Sequence, residues 1–312
     1  MMTNHVPVMC DEILDIFAPV LSTPGAIMVD ATLGLGGHSL AALDRFDSIT
    51  VIGIDRDPQA IETAAARLKP YEGRFEIHQA TYDEISTILD GRKADAILFD
   101  LGLSSLQIDS TPRGFAYSAD APLNMRMDAD ESELTAQDVV NSYSEEDLAR
   151  IFRIYGEEKY AHRIARAIVD ARGSEPFSTS ARLVEVIASA VPQGQTRGHP
   201  AKRVFQAIRM EVNDERTLLE KALPTALESL NLHGRMAVLS YHSGEDRIVK
   251  HVFAQAQSDH VPHGIPVVPD QFQARFSLVV RGALKPSDDE MMSNPRSQSA
   301  RLRVIERTKE DR

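Results

Sequence analysis

The sequence has a single cysteine, Cys10, among its 312 residues. One cysteine excludes an internal disulfide and a zinc cluster built from cysteines alone. No stretch approaches the ~20 apolar residues needed to cross a bilayer. The first dozen residues lack a basic segment followed by an apolar run, so no secretory signal is read there. These absences together favour a cytoplasmic location and call for no metal. Basic residues are also in short supply. Lys and Arg number 34 against 46 Asp and Glu, a formal charge of −12. That balance argues against indiscriminate nucleic-acid binding but leaves room for a local basic surface. One such stretch is Arg197 to Arg209, with Arg197, Lys202, Arg203 and Arg209 and no acidic residue. Its opposite is Asp128 to Asp147, with eight acidic residues and no basic one.

What is present is an alternation. Short apolar runs at Ala26 to Asp30, Thr50 to Asp55, Arg74 to Ala80 and Ala94 to Asp100 are separated by helix-like segments at Ser39 to Phe46, Pro58 to Leu68 and Tyr82 to Leu89. That order predicts βαβ units and a mostly parallel sheet with helices on both faces. After Gly102 the pattern changes. Ser105 to Asp130 reads as a polar loop. Ser144 and Asp147 then read as a capping box ahead of Leu148, Ile151, Phe152 and Tyr155. Helices through Tyr160, Ile164 and Ile168, and over Ser180 to Ala190, follow. This predicts an all-helical insert. From Val204 one helix is expected to reach Leu230, bent at Pro224. Gly234 to Tyr241 reads as a strand, and Phe276 to Val280 with Arg301 to Ile305 as a closing antiparallel pair. The expected division is 1–107 and 204–312 for the α/β domain, and 108–203 for the insert.

The first strand runs into Gly34, Gly36 and Gly37 before a helix. Such a loop lets a backbone approach an adenosine cofactor. Asp55 lies 21 residues after Gly34, where an acidic side chain accepts from ribose hydroxyls. Asp57 is a rival, although with Pro58 it reads as a helix start. A nicotinamide or flavin fingerprint needs glycine or alanine at position 39, which holds serine. Asp30, just before the loop, would sit badly beside a pyrophosphate. It suits the amino group and sulfonium of S-adenosylmethionine. His38 is either structural or a contact to the cofactor's carboxylate. Tyr82 either covers the adenine or fills the core.

Asp100 ends the fourth strand and is followed by Ser104, Ser105 and Gln107. An aromatic amine is a weak nucleophile because its lone pair is delocalised. A carboxylate accepting its N–H orients that lone pair. Alignment supplies much of the remainder, and no strong base is obligatory. Asp100 as a cofactor ligand alone is the alternative. Pro-Pro-aromatic, common after this strand in amine methyltransferases, is absent.

These residues, with others along the chain, resemble the RsmH/MraW family of bacterial 16S rRNA cytosine-N4 methyltransferases. The resemblance rests on His5-Val6-Pro7-Val8, the Asp30 to His38 loop, Ile54-Asp55-Arg56-Asp57-Pro58, Asp100 to Ser105 and Arg113-Gly114-Phe115. It continues through Met125-Arg126-Met127-Asp128, Tyr155-Gly156-Glu157-Glu158, His199-Pro200-Ala201, Phe205-Gln206-Ala207, His242-Ser243, Glu245-Asp246-Arg247 and Asn294-Pro295-Arg296. Departures are Leu106 for a usual proline, Asn124 for aspartate, Tyr241 for phenylalanine and Gly244 for leucine.

The resemblance implies a Rossmann-like class I methyltransferase domain with a helical insert. It implies S-adenosylmethionine as cofactor and 16S rRNA, within the small ribosomal subunit, as partner. The reaction implied is N4-methylation of a cytidine in the decoding region. Cofactor residues carried over by position are Gly36, Gly37, His38, Asp55, Tyr82, Asp100 and Gln107. Asp100, Ser104 and His242 are the catalytic candidates. Arg113, Phe115, Arg126, Arg197, Lys202, Arg203 and Arg209 are the RNA-binding candidates, with Phe115 and Tyr117 offered as stacking rings. Two alternatives stay open: an exocyclic-amine methyltransferase acting on DNA or another RNA, and a non-catalytic ribosome-assembly binder. A homodimer also stays open.

Overall fold

A computed structural model describes residues 7–103, 113–128, 134–192, 199–259 and 273–310. In chain order the elements begin α1 (Cys10–Leu21), β1 (Ile27–Asp30), α2 (Gly37–Arg45), β2 (Thr50–Asp55), α3 (Pro58–Leu68), β3 (Phe75–Gln79), α4 (Ile85–Leu89) and β4 (Ala94–Asp100). They continue with α5 (Ala136–Ser142), α6 (Glu145–Ile154), α7 (Ala161–Ser174), α8 (Ser180–Ala190), α9 (Ala201–Val212) and α10 (Glu215–Glu228). The last are β5 (Leu230–Ser240), α11 (Ser243–Ala256), β6 (Phe276–Leu278), α12 (Asp288–Ser293) and β7 (Arg301–Arg307).

The chain folds as two compact units, Met1–Gly102 with Thr217–Arg312, and Leu103–Arg216. The first holds a seven-stranded sheet of order β3-β2-β1-β4-β5-β7-β6. The pairs from β3 through β5 are parallel, and β7 runs antiparallel to both β5 and β6. Alternate residues of each strand enter opposite cores, as the two-residue period of a strand requires. Met28, Val51 and Leu98 pack with Ile13, Phe17 and Leu43 on one face. Val29, Ile52, Ile97 and Phe99 pack with Leu219, Leu223 and Phe253 on the other. The Rossmann-like sheet covered on both faces is therefore present. Strand order reverses between β1 and β4, and that switch point opens a crevice at their carboxyl ends. Local signals read in the sequence act as expected. Asp57 caps α3 by accepting from Gln59 N–H at 3.0 Å. Ser144 caps α6 by accepting from Asp147 N–H at 3.0 Å, but the expected capping box is only half made, because Asp147 Oδ2 accepts from the Ser144 hydroxyl at 2.7 Å.

The second unit is helical, as expected, but its end differs. The single helix expected from Val204 to Leu230 is two helices, α9 and α10. Asn213 ends the first: its amide donates to Met125 O and Arg209 O, both at 2.8 Å, and accepts from Met127 N–H. Asp214 follows with φ of +47°, which no helix continues through. Val204, Phe205, Ala207 and Ile208 of α9 are buried with Leu148, Phe152, Ile164 and Phe177. The helical unit thus ends at Arg216 rather than at residue 203, because the apolar face of α9 fills that core.

Candidate active site

β1, β2 and β4 each end on an aspartate, and the sheet order sets those ends side by side. Asp30 ends β1 and is 2% exposed. One carboxylate oxygen accepts from Ser39 Oγ at 2.7 Å, and the other is buried with no hydrogen-bond partner. Burial raises its carboxyl above the usual range, offset in part by the neighbouring His38 and the Ser39 hydroxyl. Such an orphaned acceptor is costly unless a donor arrives. The serine that breaks the dinucleotide fingerprint therefore serves this aspartate.

Asp55 ends β2 and holds the glycine loop. Its two oxygens accept from Gly34 N–H at 2.7 Å and Asp57 N–H at 2.9 Å. Each oxygen retains a second acceptor site. Burial outweighs both donors and pushes the carboxyl up to about 6. Between Asp30 and Asp55 the chain turns through Gly36, whose φ of +71° precedes α2. A side chain there would be strained and would press on Ala64. Gly37 opens the helix against Pro7. Tyr82 begins a short turn after β3, and its ring meets Phe99 edge to face at 5.8 Å.

Asp100 ends β4. Its backbone N–H donates to Thr32 Oγ1 at 2.6 Å, and its Oδ1 accepts from the Tyr241 hydroxyl at 2.7 Å. Burial and the adjacent Asp100 push the Tyr241 phenol well above its ordinary value, so the proton stays on tyrosine. His38 Nδ1 lies 3.7 Å from Asp100 Oδ2, beyond hydrogen-bond range. His38 Nε2 lies 3.1 Å from Val8 O. A carbonyl only accepts, so Nε2 carries the proton and Nδ1 presents a lone pair in the neutral ring. His38, Asp30 and Asp100 are thus brought together.

Other candidates fare differently. His242 is the N-cap of α11, with Nδ1 accepting from Glu245 N–H and Nε2 3.0 Å from Glu245 Oε1. Nδ1 is engaged in starting that helix, while Nε2 is buried without a hydrogen-bond partner. Ser104, Gln107 and Arg197 lie outside the described residues. Phe115 is no stacking platform: it is 6% exposed and sits in the core of the helical unit. Tyr117 instead stacks on His199 at 4.9 Å. Arg209 is no phosphate ligand either. It is 9% exposed and makes a two-pronged pair with Glu215 at 2.7 and 2.8 Å. Breaking such a pair leaves a carboxylate without its cation in a partly dry place. Arg209→Ala is therefore expected to destabilise the protein by about 3 kcal/mol, read as a lower urea midpoint, whereas Lys202→Ala leaves the midpoint unchanged. Lys202 and Arg203 are exposed on α9. Arg203 also donates to Glu157 O at 3.3 Å. Arg113 donates to Met127 O at 3.5 Å, and Arg126 Nε to Asn124 Oδ1 at 3.1 Å.

Sequence reasoning passed over Tyr241 and Thr32 as site residues. Both lie one or two residues past a strand end, and only strand adjacency turns them toward Asp100.

A parallel sheet closed by an antiparallel seventh strand, with a glycine loop and three carboxylates at its switch point, defines a Rossmann-like, S-adenosylmethionine-dependent methyltransferase. The residues present fit that cofactor. Asp30 holds an unmet acceptor for a cationic amine, and Asp55 keeps acceptor sites for a diol. The model of the MraW methylase family matches residues 2–308, and the chain belongs to that family. It is 49% identical over 314 residues to the ribosomal RNA small subunit methyltransferase H of Streptomyces avermitilis, covering 99% of this chain and 98% of that protein. It is 51% identical over 310 residues to the protein of the same name from a Nocardioides species, covering 98% and 97%. Among solved structures, an rRNA methylase from Streptococcus thermophilus matches with a TM-score of 0.44 and 13% identity, covering 95% of this chain and 93% of that one. None of the described helices is long and apolar enough to cross a membrane.

Proposed function

We propose that this protein methylates N4 of a cytidine in the decoding region of 16S rRNA, acting on the small ribosomal subunit. The observation that carries the amine chemistry is the Asp100 carboxylate, fixed at the end of β4 by Tyr241 and Thr32. The substrate class is supported by full-length relatives named for small-subunit rRNA methylation.

Bound S-adenosylmethionine supplies a methyl group on a positively charged sulfonium. Asp30 and the glycine loop receive its amino acid end, Asp55 its ribose hydroxyls, and Tyr82 its adenine. Gln107 joins this set by family position. Asp100 accepts an N–H of the cytosine amine and aims the nitrogen lone pair at the methyl carbon. Orientation of this kind contributes up to ~7–11 kcal/mol in favourable cases. After transfer the nitrogen is acidic and loses its proton to Asp100 or to water. The target base must leave its stack to reach the strand ends. Ser104 stays a catalytic candidate by its sequence position, and His242 with Ser243 is assigned to the base pocket. His242 acts there through the helix start it holds.

RNA contact falls to Arg113, Arg126, Arg197, Lys202 and Arg203 in the helical unit, and Arg209 drops out. The double variant Lys202→Ala/Arg203→Ala is expected to weaken particle binding about tenfold near 0.1 M salt and to lower the slope of log affinity against log salt by about 2. An unchanged slope removes the pair from the interface.

The direct test is transfer of labelled methyl to small-subunit particles from a strain lacking this enzyme, followed by nucleoside analysis. N4-methylated cytidine is expected. Its absence, or greater transfer to naked DNA, overturns the reading.

A further inference from the structure

The corner where α6 turns into α7 carries cations that the helical unit does not use internally. α6 begins on Glu145, Glu146 and Asp147 and has Arg153 in its last turn. Lys159 follows in the turn, and Arg163 lies in the first turn of α7. Lys202 and Arg203 stand at the start of α9. Tertiary contacts bring that helix start to the same corner. Gly156 lies so close to α9 that a Cβ there would stand 2.5 Å from Arg203 O. Gln206 Nε2 donates to Tyr155 O at 3.1 Å, and Arg203 Nη1 to Glu157 O at 3.3 Å. Arg153, Lys159, Arg163, Lys202 and Arg203 are all exposed.

Pairing sets these cations apart from their neighbours. Arg166 stands 3.5 Å from Glu145, and Arg150 stands 3.7 Å from Asp147 and 3.8 Å from Glu211. Arg153, Lys159, Arg163 and Lys202 have no ion pair among the described residues. Lys159 Nζ sits over the Tyr160 ring at 4.7 Å. The acidic residues of the turn are Glu157 and Glu158. Glu158 is 2% exposed, and its carboxylate lies 4.0 Å from Arg203. Positive charge therefore exceeds negative charge at this corner, in a chain whose formal charge is −12. Like charges gathered without partners repel one another, so the cluster points to a polyanion outside the chain.

We propose that this corner is a phosphate-binding surface for rRNA, which extends the Lys202 and Arg203 contact to Arg153, Lys159 and Arg163. This rests on the reading of the helical unit as the RNA-contacting part of a small-subunit rRNA methyltransferase. Exposed Arg and Lys heads without internal partners suit phosphate oxygens. Such contacts set the register of the bound RNA and carry no base preference. They also supply affinity that falls steeply with salt.

The test is binding of full-length Arg153→Gln/Arg163→Gln to small-subunit particles across a salt series. Affinity is expected to fall about tenfold near 0.1 M salt, and the slope of log affinity against log salt to drop by about 2. The melting temperature is expected to stay unchanged, because both side chains are exposed. Arg153→Lys/Arg163→Lys keeps the charge and is expected to bind as the wild type does. The same drop in slope is expected on protein-free 16S rRNA. Arg281→Gln/Lys285→Gln removes two exposed cations of the sheet-containing unit and controls for overall charge. A wild-type slope in Arg153→Gln/Arg163→Gln, an equal drop in the control, or a lysine pair that binds no better than the glutamine pair overturns the surface. A drop on particles with none on protein-free rRNA assigns the corner to an acidic ribosomal protein and overturns the RNA assignment. These readouts use binding alone. Absence of N4-methylated cytidine with the wild-type enzyme overturns the methylation reading, and the slopes still decide the surface.

Discussion

Asp100→Ala is expected to lower kcat by about 10²–10³-fold, the usual effect of removing one preorganised polar group from a reacting centre. The reasons are local. Asp100 is anchored on both sides, its N–H on Thr32 and its Oδ1 on Tyr241. A carboxylate held in this way would meet the proposed substrate amine without first having to be ordered. An amine held by one fixed acceptor would keep its lone pair in one direction, whereas a nitrogen free to rotate would spend most of its time misaligned for transfer. Cofactor affinity, read by calorimetry on the free enzyme, is expected to stay within about fivefold. Those two readouts separate the roles. A cofactor Kd rising as steeply as kcat falls would make Asp100 a cofactor ligand and sink the amine assignment. Particle binding should also persist, since the cations proposed for RNA contact lie elsewhere in sequence. A catalytically silent assembly factor would instead show no dependence of cellular methylation on Asp100.

The second large effect is expected at Asp55. Asp55→Ala removes the acceptors proposed for the ribose hydroxyls and the brace on Gly34 N–H together. Hydrogen bonds to a charged group contribute ~1.5–3 kcal/mol each. Two of them lost, with the loop loosened, predict a cofactor Kd raised about 10²–10³-fold. The pH behaviour of the wild type offers a finer check. The carboxyl titrates near 6 in the fold, against an ordinary value of 3.8. Between those values the folded state binds more protons than the unfolded chain. Stability of the cofactor-free protein from this group therefore falls as pH rises from about 4 to about 6. Cofactor affinity is expected to move the other way, because ribose hydroxyls held as proposed would donate to the ionised form. Melting scans and titrations across that window should cross. Parallel trends would show that Asp55 is not the ribose acceptor.

Much of this was legible without coordinates, and for stated reasons. Strand ends are marked by aspartates and glycines because apolar runs stop where the chain must meet a polar ligand. Asp30, Asp55 and Asp100 could be placed on that ground alone. Helix starts at Asp57 and Ser144 follow from short side chains that accept from the third or fourth amide. Charge, by contrast, misled at Arg209. A basic run looks the same whether its members face solvent or pair inward. Only Glu215, six residues on and across a helix break, decides which. Phe115 misled for a related reason. A ring in a polar loop can stack on a base or plug a core, and the core of the helical unit took it.

The alternation of strands and helices, the glycine loop, the three carboxylates and the family could all be read from the chain alone. Each is carried by local order, since period, turn chemistry and capping act within a few residues. Tertiary structure alone decided that Tyr241 donates to Asp100 across 141 positions, that Ser39 holds Asp30, and that α9 belongs to the helical core. Those contacts depend on which strand lies beside which and on which helical face is covered. Pairing between distant segments leaves no periodic trace in the chain, so it becomes readable only once the sheet has closed in the order β1-β4-β5.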